Sequence, residues 1–226
     1  MPLAAPLRAR SQFRPARQVR RLALTGLLAA LVVAVVPGTA GAATPYGTNL
    51  VKNPGAENGL TKWSGFNDPS TRKYGSGGLG YPSKQQRDRI GGGKRMFTAG
   101  AFVPAFSACG ELEQTIRLNG INGAIDSGKV KVRLKGWMAT SGAADLTANV
   151  LLLFRDGQNH SNGLSVKQIG GSATTTNEVY RSIDKSRKLP KGARILRLKL
   201  FVSGSAMEGG ACEVAWDKLS VVITRV

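Results

Sequence analysis

Aromatic and polar side chains suited to binding a sugar lie in and beside a glycine-rich stretch, residues 65–100, which holds nine glycines. Sugar-binding surfaces use aromatic rings as stacking platforms with a few polar groups around them. A long loop in a compact domain is usually functional or disordered. We therefore expect a ligand site here, the alternative being loops that cross the surface and bind nothing. The candidates are Tyr74, Tyr81, Phe102, Asn67 and Arg72.

A second set of candidate residues is basic and lies on the polar faces of strand-like segments. If these strands share a sheet, the side chains form one basic stripe that faces solvent. Such a stripe favours acidic polysaccharide, wall teichoic acid, nucleic acid or anionic lipid headgroups, although no nucleic-acid motif accompanies it. The alternative is a charge excess that only keeps the protein soluble. The residues of this predicted stripe are Lys129, Lys131, Arg133, Lys135, Arg197 and Lys199.

Motifs of catalysis are missing from the sequence. There is no Gly-x-Ser-x-Gly elbow and no His-Glu-x-x-His helix, and the segment 91–94 lacks the strand and helix of a phosphate-binding loop. Two carboxylates for glycoside cleavage remain an alternative, because spacing in sequence does not give spacing in space. Glu111 and Glu113 are the closest pair, and a solvated strand edge explains them as well. We expect a protein that is not an enzyme, with a glycan-acting hydrolase as an alternative.

Residues 1–42 have the pattern of a secretory signal peptide. Six arginines and no acid precede a fifteen-residue apolar run at 22–36, and Ala40-x-Ala42 forms the cleavage site. A membrane-spanning helix needs roughly 20 apolar residues, and no second apolar run follows. We expect a secreted, extracellular protein of one domain, residues 43–226, without a transmembrane segment. Arg20-Arg21 leaves both the general secretory and the twin-arginine routes open.

The two cysteines, Cys109 and Cys212, belong to this exported part of the chain. Export places them in an oxidising compartment, where two cysteines most simply form one disulfide. A cysteine nucleophile is the alternative, but the single histidine, His160, lies in a polar turn.

Alternating apolar and polar residues in the mature chain predict strands, and turn-forming pairs such as Asp156-Gly157 separate them. No segment has sustained helical periodicity. Many short strands without helices predict an all-β fold, an antiparallel β-sandwich or jelly roll. The clearest predicted strands are 112–118, 129–135, 146–154, 194–202 and 214–224.

An ordered set of motifs resembles galactose-binding-like jelly rolls, a fold that includes the carbohydrate-binding modules of secreted bacterial proteins. The opening segment from Asn49 through Glu57 to Trp63 carries the most distinctive part of the resemblance. It implies a galactose-binding-like β-sandwich over nearly the whole mature chain. The other matching segments are 112–116, 134–137, 189–194 and 216–220.

The same resemblance implies a structural calcium ion. In many such domains the glutamate of the opening motif and the aspartate of the last strand hold it together with backbone carbonyls. Glu57 and Asp217 occupy these positions, and calcium takes six to eight oxygen ligands. The alternative is that both are ordinary carboxylates of turns or ion pairs.

Together these features predict a secreted, non-catalytic, lectin-like module that binds a polysaccharide or cell-envelope glycan. The charge supports a different possibility. Without the signal segment, 26 basic residues face 13 acidic ones. A basic extracellular protein that binds the envelope or anionic polymers is therefore the first alternative.

Overall fold

A computed structural model describes most of the chain that follows the predicted signal segment. Within this part, the chain forms ten strands and two short helices. The described residues are 42–76, 81–100, 109–140, 146–160, 169–173, 180–204 and 212–226. The strands are β1 (Ser64–Phe66), β2 (Ser70–Lys73), β3 (Arg95–Thr98), β4 (Glu111–Arg117), β5 (Val130–Thr140), β6 (Thr147–Arg155), β7 (Ile169–Ala173), β8 (Arg181–Lys188), β9 (Ile195–Ser203) and β10 (Val214–Arg225), and the helices are α1 (Lys84–Ile90) and α2 (Asn122–Asp126).

The ten strands form two five-stranded sheets, and every strand pair is antiparallel. The first sheet has the strand order β1-β4-β9-β6-β7, and the second has the order β2-β3-β10-β5-β8. The predicted antiparallel β-sandwich is therefore confirmed. Because the two sheets pack face to face, each has an inner face that builds the core and an outer face that points away from it.

The main core lies between the sheets and is formed by alternate residues of the long central strands. Leu196, Leu198 and Leu200 of β9 and Trp216 of β10 are fully buried there. The residues between them in β9 point to the opposite side of the first sheet, as the two-residue period of a strand requires. The same period gives the second sheet an outer face.

A β-bulge in β10 changes which of its residues enter the core. Before the bulge Val214 and Trp216 point inward, whereas after it Leu219 and Val221 do so. The extra residue is Lys218, whose φ of 49° lies in the left-handed region. A bulge adds one residue to a strand and so shifts the alternation by one position. Asp217 directly precedes the bulge and alternates with Trp216, so its side chain points to the outer side of the second sheet.

The glycine-rich stretch expected to consist mainly of loops contains regular structure. It holds β2, β3 and α1. The helix covers part of the outer side of the second sheet, against which Ile90 packs. Ser83 and Gln86 form a capping box at the start of α1, and Gly91 ends the helix with a φ of 63°. One or two short strands were expected here, and the helix was missed because it spans only seven residues.

The predicted disulfide is present between Cys109 and Cys212, with 5.8 Å between their Cα atoms. Cys109 precedes β4 of the first sheet, and Cys212 precedes β10 of the second sheet. The bond therefore links the two layers of the sandwich at one end.

The predicted signal segment is not part of the described structure, apart from Ala42 at its end. In the residues that are described, no helix has the length and apolar character needed to cross a membrane.

Replacing both cysteines by alanine should lower the free energy of unfolding by about 4–5 kcal/mol. A cross-link spanning about 100 residues removes that much chain entropy from the unfolded state. Denaturant unfolding of the oxidised wild type and the double variant measures the difference, and intact mass with and without reduction verifies the bond. Equal unfolding midpoints would contradict this stabilising role.

Candidate functional site

The fold brings together Glu57 and Asp217, the two carboxylates that the sequence separates by 160 positions. Both line an open groove of about 520 Å³ between the opening segment, the end of α1 and the β10 bulge. Residues from three distant parts of the chain therefore meet at one place. Asp217 can reach this groove because its side chain alternates with that of the buried Trp216 and so points away from the core.

Two asparagines explain why the opening segment folds beside the bulge. The Asn49 amide nitrogen donates to the Leu219 carbonyl at 2.9 Å, and its Oδ1 accepts from the Val221 N–H at 3.0 Å. Asn53, with a φ of 49°, donates its amide to the Gly59 carbonyl at 2.8 Å. These short polar side chains satisfy backbone groups that a loop would otherwise leave unpaired.

Asp217 is fully buried, and its carboxylate has two hydrogen-bond donors. The Tyr74 hydroxyl donates to Oδ2 at 2.5 Å, and the Lys218 N–H donates to Oδ1 at 2.6 Å. Burial raises the pKa of Asp217 to about 6, and the nearby Glu57 adds to the rise, although both hydrogen bonds oppose it. The carboxyl group is therefore still mostly ionised at neutral pH, and a cation beside it would stabilise the anion further.

Three glycines make room for the two carboxylates. A Cβ atom at Gly55 would lie 2.8 Å from Asp217 Oδ1, and one at Gly92 would lie 2.7 Å from its Oδ2. At Gly93 a Cβ would lie 2.0 Å from Glu57 Oε1. A larger residue at Gly55 or Gly92 would collide with the buried Asp217 carboxylate, whereas at Gly93 the exposed Glu57 side chain could move aside.

The donor set of this groove fits calcium. Its two carboxylates offer the hard oxygen ligands that calcium prefers. Across the described part of the chain, no group of three or more His, Cys, Asp or Glu side chains could hold a metal. A cation here would therefore need backbone carbonyls besides Glu57 and Asp217. The Lys218 ammonium borders the groove and donates to the Gly91 carbonyl at 3.0 Å.

The predicted loop aromatics do not form an exposed stacking platform. Tyr74 is only 3% exposed and Tyr81 only 8%, because both pack in a second hydrophobic cluster on the outer side of the second sheet. Arg72 lies over the Tyr81 ring, with 4.5 Å between the guanidinium carbon and the ring centre. Asn67 is half-buried in the turn between β1 and β2, and Phe102 lies outside the described residues.

The buried tyrosines form a hydrogen-bonded chain that ends at Asp217. The hydroxyls of Tyr74 and Tyr180 lie 2.9 Å apart, and the Tyr180 hydroxyl lies 3.6 Å from the sulfur of Met96. Burial raises the pKa of both tyrosines far above the usual value. Tyr74 therefore acts as a permanent hydrogen-bond donor to Asp217. The sequence analysis identified Tyr74 as a functional candidate, but its role here is to support the carboxylate.

Exposed aromatic character lies instead on the outer face of the first sheet, which we call the first-sheet face. The Phe66 side chain of β1 is 60% exposed, and Phe201 of β9 is partly exposed on the same side as Lys199. β4 separates the two strands, so these rings are about two strand spacings, or about 10 Å, apart. A shallow groove of about 310 Å³ runs beside Phe66.

Polar groups on the first-sheet face are arranged in pairs. The Arg197 guanidinium donates to both oxygens of Glu113, at 2.7 and 2.6 Å, and Lys199 lies 3.0 Å from Glu111. Asn149 of β6, which lies opposite Phe201, hydrogen-bonds the hydroxyls of serines in the neighbouring strands β7 and β9. The face thus combines aromatic rings with fixed donors and acceptors.

The predicted basic stripe is split between two faces. Lys131, Arg133 and Lys135 lie on the outer side of β5 in the second sheet, and Lys129 directly precedes that strand. Arg197 and Lys199 lie on β9 of the first sheet, so they point in the opposite direction. The prediction required β5 and β9 to share a sheet, but in this sandwich they belong to different sheets.

Comparisons with known proteins show the fold. A scan against protein-family models finds no match, and neither does a search of curated proteins. Among solved structures, the enzymatically active domain of tailspike protein 4 from bacteriophage CBA120 is similar over 78% of this chain, with TM-score 0.51 and 16% identity. The chain spans 21% of that protein. This match supports the β-sandwich and leaves the ligand open.

Carbohydrate-binding modules are also among the similar structures. TmCBM61, solved with β-1,4-galactotriose, is 13% identical with TM-score 0.46, covering 79% of this chain and 99% of the module. The CBM22-1 xylan-binding domain of Paenibacillus barcinonensis Xyn10C is 13% identical with TM-score 0.42, covering 81% of this chain and 99% of that domain.

In chelator-treated protein, Asp217 should make stability fall as pH rises from about 4 to 7. A carboxyl group whose pKa rises on folding stabilises the native state below its unfolded pKa of about 3.9, and this contribution is lost as pH rises through the folded value of about 6. The loss amounts to at most about 3 kcal/mol. Thermal unfolding between pH 4 and pH 7 should show this decline in the wild type and a smaller decline in Asp217→Asn. Parallel profiles for the two proteins would contradict the assignment.

Proposed function

We propose that the exported chain is a non-catalytic module that binds a neutral polysaccharide or cell-envelope glycan through the first-sheet face. The observation that carries this proposal is the exposed ring of Phe66 beside the paired polar groups of β4 and β9. Aromatic faces stack on the apolar faces of sugar rings, and fixed polar groups hydrogen-bond sugar hydroxyls. The two requirements meet on one rigid sheet.

The arrangement of this face suits an extended ligand. Phe66 and Phe201 stand on either side of β4, so each ring can contact a different residue of one glycan chain. Glu113 of β4 and Arg197 of β9, on the same face, already hold each other in place, which reduces the conformational entropy lost on binding. Preorganised contacts of this kind favour recognition of a polymer along the sheet.

Binding without cleavage is part of the proposal. Hydrolysis of a glycosidic bond needs one carboxyl group as acid and a second as base or nucleophile. On the first-sheet face, Glu111 and Glu113 are each committed to an ion pair, with Lys199 and Arg197 respectively. Incubation with a retained polysaccharide should therefore release no reducing sugar, whereas release would favour the hydrolase alternative.

We further propose that Glu57 and Asp217, with nearby backbone carbonyls, hold a structural calcium ion. The ion would stabilise the buried Asp217 carboxylate as an anion, offset its repulsion from Glu57, and so fix the opening segment to the β10 bulge. The close approach of Gly55, Gly92 and Gly93 to these carboxylates supports the proposal. The ion would lie on the second sheet's side of the molecule, and we assign it no contact with the glycan.

Phe201→Ala and Phe66→Ala should each weaken glycan binding by about tenfold or more, because truncating a stacking aromatic typically costs 1–3 kcal/mol. Binding by the wild type should persist at 1 M salt, where charge interactions are screened. Affinity electrophoresis in β-1,4-galactan, xylan and isolated cell-wall glycan measures the effect. Tyr46→Ala is the matched control, since Tyr46 lies beside Arg225 of β10 and away from this face. Equal loss in the control, or no loss in either variant, would contradict the proposed face.

Calcium should raise the melting temperature of the wild type, because a ligand at 100 times its Kd stabilises the native state by about 2.7 kcal/mol. Glu57→Gln should lose most of this increase, and Asp88→Asn, which removes an exposed carboxylate of α1, should retain it. Calcium content measured after dialysis gives an independent readout. An unchanged melting temperature after verified metal removal would exclude the ion.

A further inference from the structure

The outer face of the second sheet carries an open groove that the proposed glycan site does not use. It has a volume of about 800 Å³ and runs along β5, with β8 on one side and β10 on the other. Lys131, Arg133 and Lys135 project from β5 along its length. We call this surface the second-sheet groove.

Strand register sets the spacing of the charges in the second-sheet groove. Lys131 pairs with Lys188 of β8 and with Thr224 of β10, and Lys135 pairs with Ser220 of β10. Residues two apart in a strand are about 6.7 Å apart, and neighbouring strands are about 4.8 Å apart. The groove therefore presents a regular row of cations flanked by hydroxyl groups, held by paired backbone on both sides.

Positive charge exceeds negative charge on this face. The row contains one carboxylate, Asp184, which accepts from the Arg133 guanidinium at 2.7 and 2.5 Å and lies 3.5 Å from Lys135. Lys131 and Lys188 are exposed, and neither forms an ion pair with another described residue. On the first-sheet face, by contrast, Arg197 and Lys199 are each matched by a glutamate.

We propose that the second-sheet groove binds a linear polysaccharide that carries carboxylate or sulfate groups. Lysines and a guanidinium at regular intervals suit anionic groups repeated along a chain, and the serine and threonine hydroxyls suit sugar hydroxyls. The chain would thus bind a neutral glycan on one face and an anionic one on the other. This second activity does not depend on the first.

The lining of the groove favours a polysaccharide over other polyanions. Among the residues that the structure describes, no aromatic side chain lines it, whereas proteins that bind single-stranded nucleic acid stack bases on aromatic rings. Of its described lining residues only Val222 is apolar, which is too little to insert into a lipid bilayer. Hydroxyl groups from two strands, in contrast, give it the hydrogen-bonding capacity that sugars use.

Asp184 acts as an internal competitor for the ligand. The hydrogen bond from Arg133 lowers the pKa of the Asp184 carboxyl group, which is an anion at neutral pH in any case. An anionic ligand must displace Asp184 from Arg133 or bind beside it. Removing this carboxylate should therefore release the guanidinium fork for the ligand.

Binding to dextran sulfate, polygalacturonate and unmodified dextran tests the proposal at low and high salt. Lys131→Glu with Lys188→Glu should reduce binding to both anionic polymers by about tenfold, since two close attractions become repulsions. Lys84→Glu with Arg89→Glu on α1 changes the net charge equally and should leave binding within about twofold of wild type. Asp184→Asn should strengthen binding about threefold, because it frees Arg133 and removes a like charge.

Three results would overturn the proposal. Equal loss in the two double variants would show that net charge alone drives attachment. Stronger binding to a 20-residue single-stranded oligonucleotide or to anionic lipid vesicles than to either polysaccharide would reject the ligand class. Unchanged or weaker binding by Asp184→Asn would show that the ligand does not contact Arg133, and so would place it outside the groove. Retention on neutral glycan is measured on the same variants, so loss of one activity is distinguishable from loss of the other.

Discussion

The buried carboxylate of Asp217 is the interaction on which the organisation of one side of the molecule depends. Its burial requires hydrogen bonds from Tyr74 and from the backbone of the β10 bulge, and it requires glycine at the positions that approach it. A carboxylate without such partners would cost several kcal/mol to bury. The bulge, the glycine loop after α1 and the opening segment therefore all meet at this buried carboxylate.

The same bulge divides the outer side of the second sheet into two parts with different properties. Before it, the strands are covered by α1 and the tyrosine cluster, and after it they are open and basic. The first sheet lacks this division and exposes aromatic rings among paired charges. A sandwich has two outer faces, and in this chain their chemistry differs enough to assign them different ligands.

The alternation of apolar and polar residues was sufficient to predict the sandwich. In segments such as β5 and β9 it indicates a strand with one face buried and the other exposed. The pairing of Cys109 with Cys212 followed from the oxidising compartment. What the sequence could not reveal was which strands share a sheet, and the basic stripe was wrong for that reason. Tyr74 and Tyr81 were misjudged because glycine-rich surroundings suggested an exposed loop, whereas α1 and β3 bury both rings. The sequence did contain a signal for an exposed ring at Phe201, because this aromatic residue lies on the polar face of an alternating strand.

Chemical-shift mapping of the isotopically labelled mature protein, titrated with the neutral oligosaccharide that it retains best, tests the central claim most directly. Binding at the first-sheet face predicts that the largest amide shifts occur in Glu111–Arg117 and Ile195–Ser203 and at Phe66. The measurement also separates the two faces in a single experiment. Largest shifts in Lys84–Ile90 and the glycines that follow it would contradict the account and return the site to the loop that the sequence first suggested.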